Sequence, residues 1–211
     1  MADYKKPDYW QQKARKEGYP ARSVYKIKEI DEKFGFFKNT GGKNSLRILD
    51  IGAAPGSWSL YALRKMNGNG FLAAVDLSLL SREFDKGLFE GENFFFVQGD
   101  INSDEIRRKL LSKGPYSTII SDAAPATTGN HTVDSARSLQ LAEEVINYAE
   151  NALYAGGNLA VKVFQGGDSA VLLKRIKTLF KTAKSFKPQA CRNESVETYF
   201  IGLEKITNGT G

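Results

Sequence analysis

Short apolar runs alternate with longer segments of helical periodicity along this chain of 211 residues. The apolar runs that have the length of buried strands occupy residues 46–51, 70–76, 94–100, 116–121, 158–164 and 197–203. Apolar residues recur at helical spacing in residues 22–36, 55–66, 103–112, 134–153 and 169–181. Asp134 is predicted to cap the helix that it opens. Because strands alternate with helices, the pattern predicts one doubly wound α/β domain.

The stretch Arg47–Trp58 contains the strongest local signal. A buried strand breaks at Gly52, and a helical pattern restarts at Pro55, where a missing N–H costs nothing. Open α/β sheets bind ligands at such strand–turn–helix junctions. Ala53 and Ala54 depart from the glycine spacing of dinucleotide-binding turns, so a ligand with one small anionic group fits better than a pyrophosphate. The stretch alone leaves open a nucleoside-cofactor turn and a purely structural turn.

Three acids lie at the carboxyl ends of consecutive predicted strands, namely Asp76, Asp100 and Asp122. Asp76 taken alone is compatible with an ordinary loop acid. Together they suit S-adenosylmethionine, with Asp76 at the ribose hydroxyls, Asp100 at the adenine amino group and the Gly52–Trp58 turn at the methionine part. A nicotinamide dinucleotide would account for Asp76 only.

Composition and charge narrow the class of protein. The net charge of +6 and a pI near 9.2 favour an acidic partner such as RNA, DNA or an anionic membrane. The sequence has no apolar run of about 18 residues and no secretory signal pattern. A single cysteine, Cys191, and a single histidine, His131, predict neither an internal disulfide nor a zinc site. We therefore expect a cytoplasmic, monomeric protein without a metal.

Two basic stretches are candidates for RNA contact. Residues 1–28 interleave cations with aromatic side chains, which suits unpaired nucleotides: Tyr4, Lys5, Lys6, Tyr9, Trp10, Lys13, Arg15, Lys16, Tyr19, Arg22, Tyr25, Lys26 and Lys28. The second stretch contains Lys174, Arg175, Lys177, Lys181, Lys184, Lys187 and Arg192. Either stretch could instead be a solvated surface. The predicted division is a basic N-terminal segment over residues 1–21, one domain over residues 22–205 and a disordered tail over residues 206–211.

The turn after the fourth strand limits the reaction type. Methylation of a base nitrogen commonly uses an acid or amide followed by two prolines and an aromatic residue, whereas this turn reads Asp122-Ala-Ala-Pro125. Methylation of a pyrimidine carbon needs a cysteine nucleophile. Cys191 lies outside the usual Pro-Cys context and is interpreted as a packing residue. A hydroxyl oxygen remains as the acceptor.

Five motifs in order resemble those of a known family. They are Gly18-Tyr-Pro-Ala-Arg-Ser-Val-Tyr-Lys26, Asp50-Ile-Gly-Ala-Ala-Pro-Gly-Ser-Trp58, Ser121-Asp-Ala-Ala-Pro125, Val161-Lys-Val-Phe-Gln-Gly166 and Arg192-Asn-Glu-Ser-Val-Glu-Thr-Tyr199. Over about Tyr9 to Leu203 the chain resembles the FtsJ-type (RrmJ or RlmE) ribosomal RNA 2′-O-methyltransferases. The resemblance implies a Rossmann-like S-adenosylmethionine-dependent methyltransferase fold, with a mostly parallel sheet and a final antiparallel strand.

The resemblance also implies the site residues. The family's catalytic tetrad maps onto Lys26, Asp122, Lys162 and Glu197. Cofactor contacts map onto Gly52, Gly56, Trp58, Asp76, Asp100 and Asp122. Ser57 departs from the glycine that is common at this position in the family. The implied substrate is a uridine of large-subunit ribosomal RNA near the peptidyl transferase centre, whereas close relatives modify tRNA anticodon loops or mRNA caps.

Lys162 is the hypothesised central residue, acting either as a base or as a director of the ribose oxygen's lone pair. Burial and the nearby Lys26 favour a neutral amine, whereas Asp122 and Glu197 favour the ammonium form, and the sequence does not decide between them. Two rival functions remain at this point, namely methylation of a small-molecule hydroxyl and a catalytically silent role in RNA binding or ribosome assembly.

Overall fold

The computed structural model describes residues 9–38, 45–166, 168–192 and 195–207. The described helices are α1 (Tyr9–Lys16), α2 (Val24–Phe34), α3 (Ser57–Met66), α4 (Asp104–Lys113), α5 (His131–Ala152) and α6 (Ser169–Leu179). The described strands are β1 (Leu46–Ile51), β2 (Gly70–Asp76), β3 (Phe94–Gln98), β4 (Tyr116–Ser121), β5 (Leu153–Phe164), β6 (Phe180–Phe186) and β7 (Glu197–Lys205). Residues 1–8 of the predicted N-terminal segment and residues 208–211 of the predicted tail lie outside the described residues.

The seven strands form one mixed sheet in the order β3-β2-β1-β4-β5-β7-β6. Parallel pairs join β1 to β2 and β4, β2 to β3, and β4 to β5, whereas β7 is antiparallel to both β5 and β6. The predicted fold class is therefore confirmed. The chain order reverses between β1 and β4, and the crevice at such a reversal is where open α/β sheets bind their ligands.

Each face of the sheet has its own hydrophobic core, because successive strand residues point to opposite sides. Leu49 and Ile51 of β1 belong to the core that α4, α5 and α6 cover. Ile48 belongs to the core on the other face, beneath α1, α2 and α3. The helices α1, α2 and α3 have eight to eleven residues, and burial against the sheet stabilises them more than their intrinsic helix propensity does.

The strand β6 was missed in the sequence prediction, which extended the preceding helix to residue 181. The helix α6 ends at Leu179, and β6 occupies one edge of the sheet. Phe180 is 3% exposed, whereas Lys181 and Lys184 are exposed to solvent. Lysines protect sheet edges against unwanted pairing, and here they also weaken the apolar signal by which a strand is recognised.

Two predicted helix starts were wrong in detail. The side chain of Asn130, not of Asp134, caps α5 by accepting hydrogen bonds from the N–H groups of Thr132 and Val133. Asp134 instead accepts from the N–H and hydroxyl of Thr128, which closes the preceding loop. Pro55 precedes α3, which begins at Ser57 after Gly56 in the left-handed region. An asparagine cap satisfies two N–H groups that the first helical turn leaves without partners.

The described part of the predicted N-terminal segment packs onto the domain. Ala14 of α1 is fully buried in the same core as α2 and α3. Several of its cations pair with acids: Arg15 lies 2.5 Å from Glu83, and Lys13 lies 4.0 Å from Glu17. A direct role of this segment in RNA contact stays a prediction. Within the described ranges, every helix is too short or too polar to cross a lipid bilayer.

Candidate active site

The turn after β1 lies in direct contact with the turn after β4. The N–H groups of Gly52 and Ala53 both donate to the carbonyl of Val75, at 2.9 and 3.1 Å. Gly52 has a φ of +79°, and a Cβ at this position would lie 2.5 Å from the Cα of Ala123. Glycine is therefore required at residue 52 for its conformation and for the close approach of two backbones.

We predict that Gly52→Ala lowers stability more than Gly87→Ala does. Gly87 has a φ of +81°, and a Cβ there would lie more than 4 Å from the described non-neighbouring atoms. Both variants incur left-handed strain of about 1–2 kcal/mol, but Gly52→Ala adds an overpacking cost of about 1–3 kcal/mol. Urea unfolding measures the difference. Equal unfolding midpoints for the two variants would contradict the contact with Ala123.

A cavity of about 470 Å³ opens at the carboxyl ends of the strands β1 and β2 and beside the turn after β4. Its lining includes Gly52, Val75, Asp76, Asp100, Ala123 and Leu141. Small and apolar residues form the walls, and two predicted cofactor acids lie among the lining residues. This arrangement fits a nucleoside that has hydroxyl and amino donors.

The two cavity acids are held differently. Asp76 accepts hydrogen bonds from the N–H groups of Ala54 and Ser78, at 2.9 and 2.8 Å, so its carboxylate is oriented by backbone. Asp100 is exposed and accepts from the N–H and side-chain amide of Asn102. A carboxylate has about four acceptor positions, so both acids can accept further hydrogen bonds from a ligand.

Three predicted cofactor residues are absent from the cavity lining, namely Asp122, which precedes the lining residue Ala123, and the two residues Gly56 and Trp58. A Cβ at Gly56 would lie 2.9 Å from the ring of Phe89, so this glycine makes room for an aromatic side chain. Trp58 is 2% exposed, its indole N–H donates to the carbonyl of Ser23 at 2.9 Å, and its ring lies 5.7 Å from that of Tyr199. The Trp58 side chain thus joins α3 to α2, and any contact of these two residues with a cofactor stays a prediction.

The four predicted tetrad residues come from separate elements and converge on one cluster. Lys26 lies on α2, Asp122 follows β4, Lys162 lies on β5, and Glu197 begins β7. The Lys162 amine lies 3.0 Å from Asp122 Oδ1, and it also donates to the Asp122 carbonyl at 2.5 Å. The Lys26 amine lies 2.9 Å from Glu197 and 3.7 Å from Asp122. The cluster borders the cavity because Ala123, next to Asp122, lines it.

Charges in this cluster compensate one another. Desolvation alone would lower the pKa of Lys26, but the carboxylates of Asp122 and Glu197 outweigh it and raise the pKa above its ordinary value. Desolvation would raise the pKa of Asp122, but Lys162 and Lys26 outweigh it and lower the pKa. Lys26 therefore stays an ammonium and Asp122 a carboxylate at neutral pH.

The structure adds Tyr199 to the cluster. Its hydroxyl donates to Asp122 Oδ1 at 2.5 Å, and its ring lies 5.8 Å from the Lys26 amine. Burial and the nearby carboxylates hold the pKa of Tyr199 well above its ordinary value, so it remains a donor. Tyr199 could have been identified from the sequence, because it ends the last motif. In the structure, the pairing of β5 with β7 places it opposite Lys162.

Cys191 packs beside Glu197, in agreement with its interpretation as a packing residue. The side chain is 5% exposed, and burial followed by the Glu197 charge raises the pKa of the thiol to about 12. A thiol of this kind is a poor nucleophile at neutral pH. Within the described ranges, no three His, Cys, Asp or Glu side chains are grouped so that they could hold a metal ion.

Asp50, in the apolar run of β1, is a buried acid that sequence reasoning did not single out. Its side chain is fully buried, and its Oδ2 accepts from the hydroxyl of Ser59 at 2.6 Å. Its Oδ1 has no hydrogen-bond partner among the described residues. Burial, reinforced by the charges of Asp122 and Asp76, raises the pKa of Asp50 to about 7.

We expect Asp50 to make the wild-type protein less stable as the pH rises from about 4 to about 8. Its pKa is higher in the folded chain than in the unfolded chain, so the folded state binds more protons in this window and loses stability as they dissociate. The loss amounts to at most about 4 kcal/mol. Urea unfolding of wild type and Asp50→Asn at pH 5 and pH 8 tests this. The variant should show the smaller pH dependence, and parallel curves would contradict the assignment.

Comparisons of the sequence with known proteins agree on one family. The model of the FtsJ-like methyltransferase family matches residues 19–205. A protein of Treponema denticola named ribosomal RNA large subunit methyltransferase E is 48% identical, over 95% of this chain and 96% of its own length. A protein of Borreliella afzelii with the same name is 47% identical, over 92% of this chain and 96% of its own length.

Solved structures give the same fold. A crystal structure from Plasmodium falciparum, designated a ribosomal RNA methyltransferase, is 27% identical, has a TM-score of 0.72 and matches 89% of this chain and 99% of that chain. A fibrillarin of Aeropyrum pernix, solved with S-adenosyl-L-methionine bound, is 17% identical and has a TM-score of 0.53, with 86% and 76% covered. The second likeness concerns the fold alone.

Proposed function

The chain belongs to the FtsJ-like methyltransferase family, and on this premise we propose that it methylates the 2′-oxygen of a ribose in large-subunit ribosomal RNA. The methyl donor is S-adenosylmethionine, and the substrate is RNA. The relatives that match more than nine-tenths of the chain are named for the large ribosomal subunit. Their names support the ribosomal target over tRNA, mRNA caps and small molecules.

The cavity residues divide the work of holding the cofactor. Asp76 would accept hydrogen bonds from its ribose hydroxyls, Asp100 from its adenine amino group, and the turn at Gly52 would border its methionine part. When bound, the cofactor supplies a methyl group on a sulfonium, which is already strongly electrophilic. The protein therefore has mainly to align the ribose oxygen.

Lys162 would align that oxygen. Its amine is fixed by two oxygens of Asp122, the carboxylate Oδ1 at 3.0 Å and the carbonyl at 2.5 Å. The remaining position on the nitrogen can meet the 2′-oxygen and direct its lone pair or accept its proton. Lys26 and Glu197, joined at 2.9 Å, would position the ribose. Tyr199 would keep Asp122 oriented through its 2.5 Å hydrogen bond.

One observation carries the proposal, namely that four charged side chains from four elements meet beside a cavity whose lining includes Asp76 and Asp100. Two lysine amines and two carboxylates are costly to gather at side-chain exposures of 8–16%. A silent binding protein would gain nothing from this arrangement. A site that must hold a hydroxyl oxygen in line with a methyl donor gains a rigid, hydrogen-bonded frame.

The experiment is transfer of label from radiolabelled S-adenosylmethionine. Purified protein is incubated in turn with large ribosomal subunits, free ribosomal RNA, tRNA and capped RNA, each isolated from cells that lack this activity. We expect label in the large subunit or its free RNA, at a position that resists alkaline cleavage because the 2′-oxygen is blocked. Label in tRNA or capped RNA alone would overturn the ribosomal target, and label in none would overturn the enzyme.

Three finer features belong to the same proposal. A single methyltransferase domain would extend over residues 22–205, with residues 1–21 as an RNA-contacting segment and residues 206–211 as a tail. The enzyme would act as a monomer on one ribosomal subunit. It would work in the cytoplasm, where ribosomal subunits of bacteria are available.

A further inference from the structure

A second cavity, of about 550 Å³, adjoins the charged cluster on the side away from Asp76 and Asp100. The first cavity shares none of its lining residues. Two tetrad members, Lys26 and Glu197, form part of its wall. The described residues that line it are Arg22, Ser23, Lys26, Ala190, Arg192, Ser195 and Glu197.

The wall of this second cavity is preformed. The carboxylate of Glu29 accepts hydrogen bonds from the N–H groups of Gln189 and Ala190, at 2.6 and 2.9 Å. The guanidinium of Arg22 donates to the Ala190 carbonyl at 2.7 Å. These three bonds join the segment before β7 to α2 and the residues that precede it. They also fix the Arg22 guanidinium at the wall, which reduces the entropy that a ligand would have to remove.

Among the described residues, the charge of the wall is positive. They include three cations, Arg22, Lys26 and Arg192, and one carboxylate, Glu197, which pairs with Lys26 at 2.9 Å. Guanidinium groups are the side chains best suited to a phosphate, since their planar fork donates two parallel hydrogen bonds.

We propose that this cavity binds the phosphodiester next to the target ribose through Arg22 and Arg192. The inference rests on the proposed function, which places the 2′-oxygen at Lys162. The 2′- and 3′-oxygens lie on neighbouring carbons of one ribose, so the 3′-phosphate must lie close to the tetrad. The second cavity shares Lys26 and Glu197 with the tetrad and presents the guanidinium groups there. The phosphate contact would fix the sugar's position relative to the amine of Lys162.

The test compares single variants for kcat/KM on the RNA substrate of the wild-type enzyme. Arg22→Gln and Arg192→Gln should each lower kcat/KM by about tenfold, the cost of one charged hydrogen bond. Each should also make the dependence of log kcat/KM on log salt shallower by about 0.7–0.9. Arg22→Lys, which keeps the charge and loses the fork, should recover part of the loss.

Lys109→Gln is the matched control. It removes the same charge from α4, on the opposite face of the sheet, where Lys109 pairs with Glu105. Its kcat/KM and salt slope should equal those of the wild type. Binding of S-adenosylmethionine and the urea midpoint show whether each variant is folded. If Arg22→Gln is unstable, Arg192→Gln tests the proposal by itself, because Arg192 is exposed.

The outcomes separate the inference from the function on which it rests. An unchanged salt slope in both glutamine variants, or an equal loss in Lys109→Gln, would show that the cavity binds no phosphate. Absence of transfer by the wild-type enzyme to every RNA would overturn the proposed function itself. A loss confined to the two arginine variants, with cofactor binding intact, supports the phosphate site.

Discussion

Replacing Lys162 with alanine is expected to lower kcat for methyl transfer by about 10²–10⁴-fold, the range for removing a positioned proton-transfer group. Cofactor affinity should not change, because Lys162 lies outside the lining of the cavity that contains Asp76 and Asp100. The amine is held by two oxygens of Asp122, so its loss removes the atom that would meet the 2′-oxygen. Single-turnover transfer under saturating RNA and cofactor measures the chemical step directly.

Lys205→Ala is the matched control for this prediction. Lys205 is also a partly buried lysine on the sheet, but its amine donates to three backbone carbonyls at the end of α5, at 2.6–3.0 Å. Its removal should lower the urea midpoint and leave the turnover of folded enzyme unchanged. Near-normal turnover in Lys162→Ala would exclude Lys162 as the central residue. A parallel loss of turnover in Lys205→Ala would mean that instability, not chemistry, is being measured.

Lys162→Arg separates the two roles left open for this residue. An arginine keeps a cation and its hydrogen bonds, but it cannot lose a proton in a protein. Retention of measurable turnover would favour direction of the oxygen's lone pair. Loss as complete as in the alanine variant, with cofactor binding retained, would favour proton acceptance by the amine.

Most of the fold was predictable from the sequence because its strands are apolar on both faces. The runs that became β1, β2 and β4 show little alternation, as expected for central parallel strands that helices cover on both sides. The edge strand β6 was missed for the opposite reason. It buries few side chains and carries exposed lysines, so local periodicity cannot distinguish it from the solvated end of a helix.

The charged cluster could be predicted only through family resemblance. Lys26 and Glu197 are 171 residues apart in the chain and 2.9 Å apart in space, and no local pattern encodes such a pair. Asp50 was missed because it lies inside an apolar run. Such a run is interpreted as a buried strand, and the one acid within it does not change that interpretation. The motif position of Trp58 suggested a cofactor contact, whereas burial of its side chain, which is 2% exposed, could not be read from the motif.

The cluster also predicts a coupling between stability and catalysis at Asp122. Its carboxylate lies 3.0 Å from the Lys162 amine and 3.7 Å from that of Lys26, and its side chain is 16% exposed. Asp122→Asn leaves the Lys162 amine without its carboxylate partner, whereas Lys26 keeps Glu197. We expect a loss of about 3 kcal/mol in the free energy of unfolding, near the lower end for breaking a buried ion pair because the side chain is not fully enclosed.

The pH dependence of this loss has a definite sign. The pKa of Asp122 is lower in the folded chain than in the unfolded chain, so its contribution to stability is present above about pH 4 and disappears as the pH falls through the folded-state pKa. The difference in unfolding free energy between wild type and Asp122→Asn should therefore be largest near neutral pH and shrink in acid. A difference that stays constant down to pH 3 would show that charge pairing is not its cause.

A compensating variant distinguishes charge balance from chemistry. Lys162→Met in the Asp122→Asn background removes the amine that has lost its carboxylate, whereas Lys26 keeps Glu197 at 2.9 Å, so part of the lost stability should return through coupling between the two sites. Turnover should not return, because the Lys162 amine is the group that would meet the 2′-oxygen. Asp100→Asn, at an exposed acid of the cofactor cavity, should weaken cofactor binding without changing the urea midpoint. Recovery of turnover together with stability in the double variant would mean that Asp122 and Lys162 serve the fold alone.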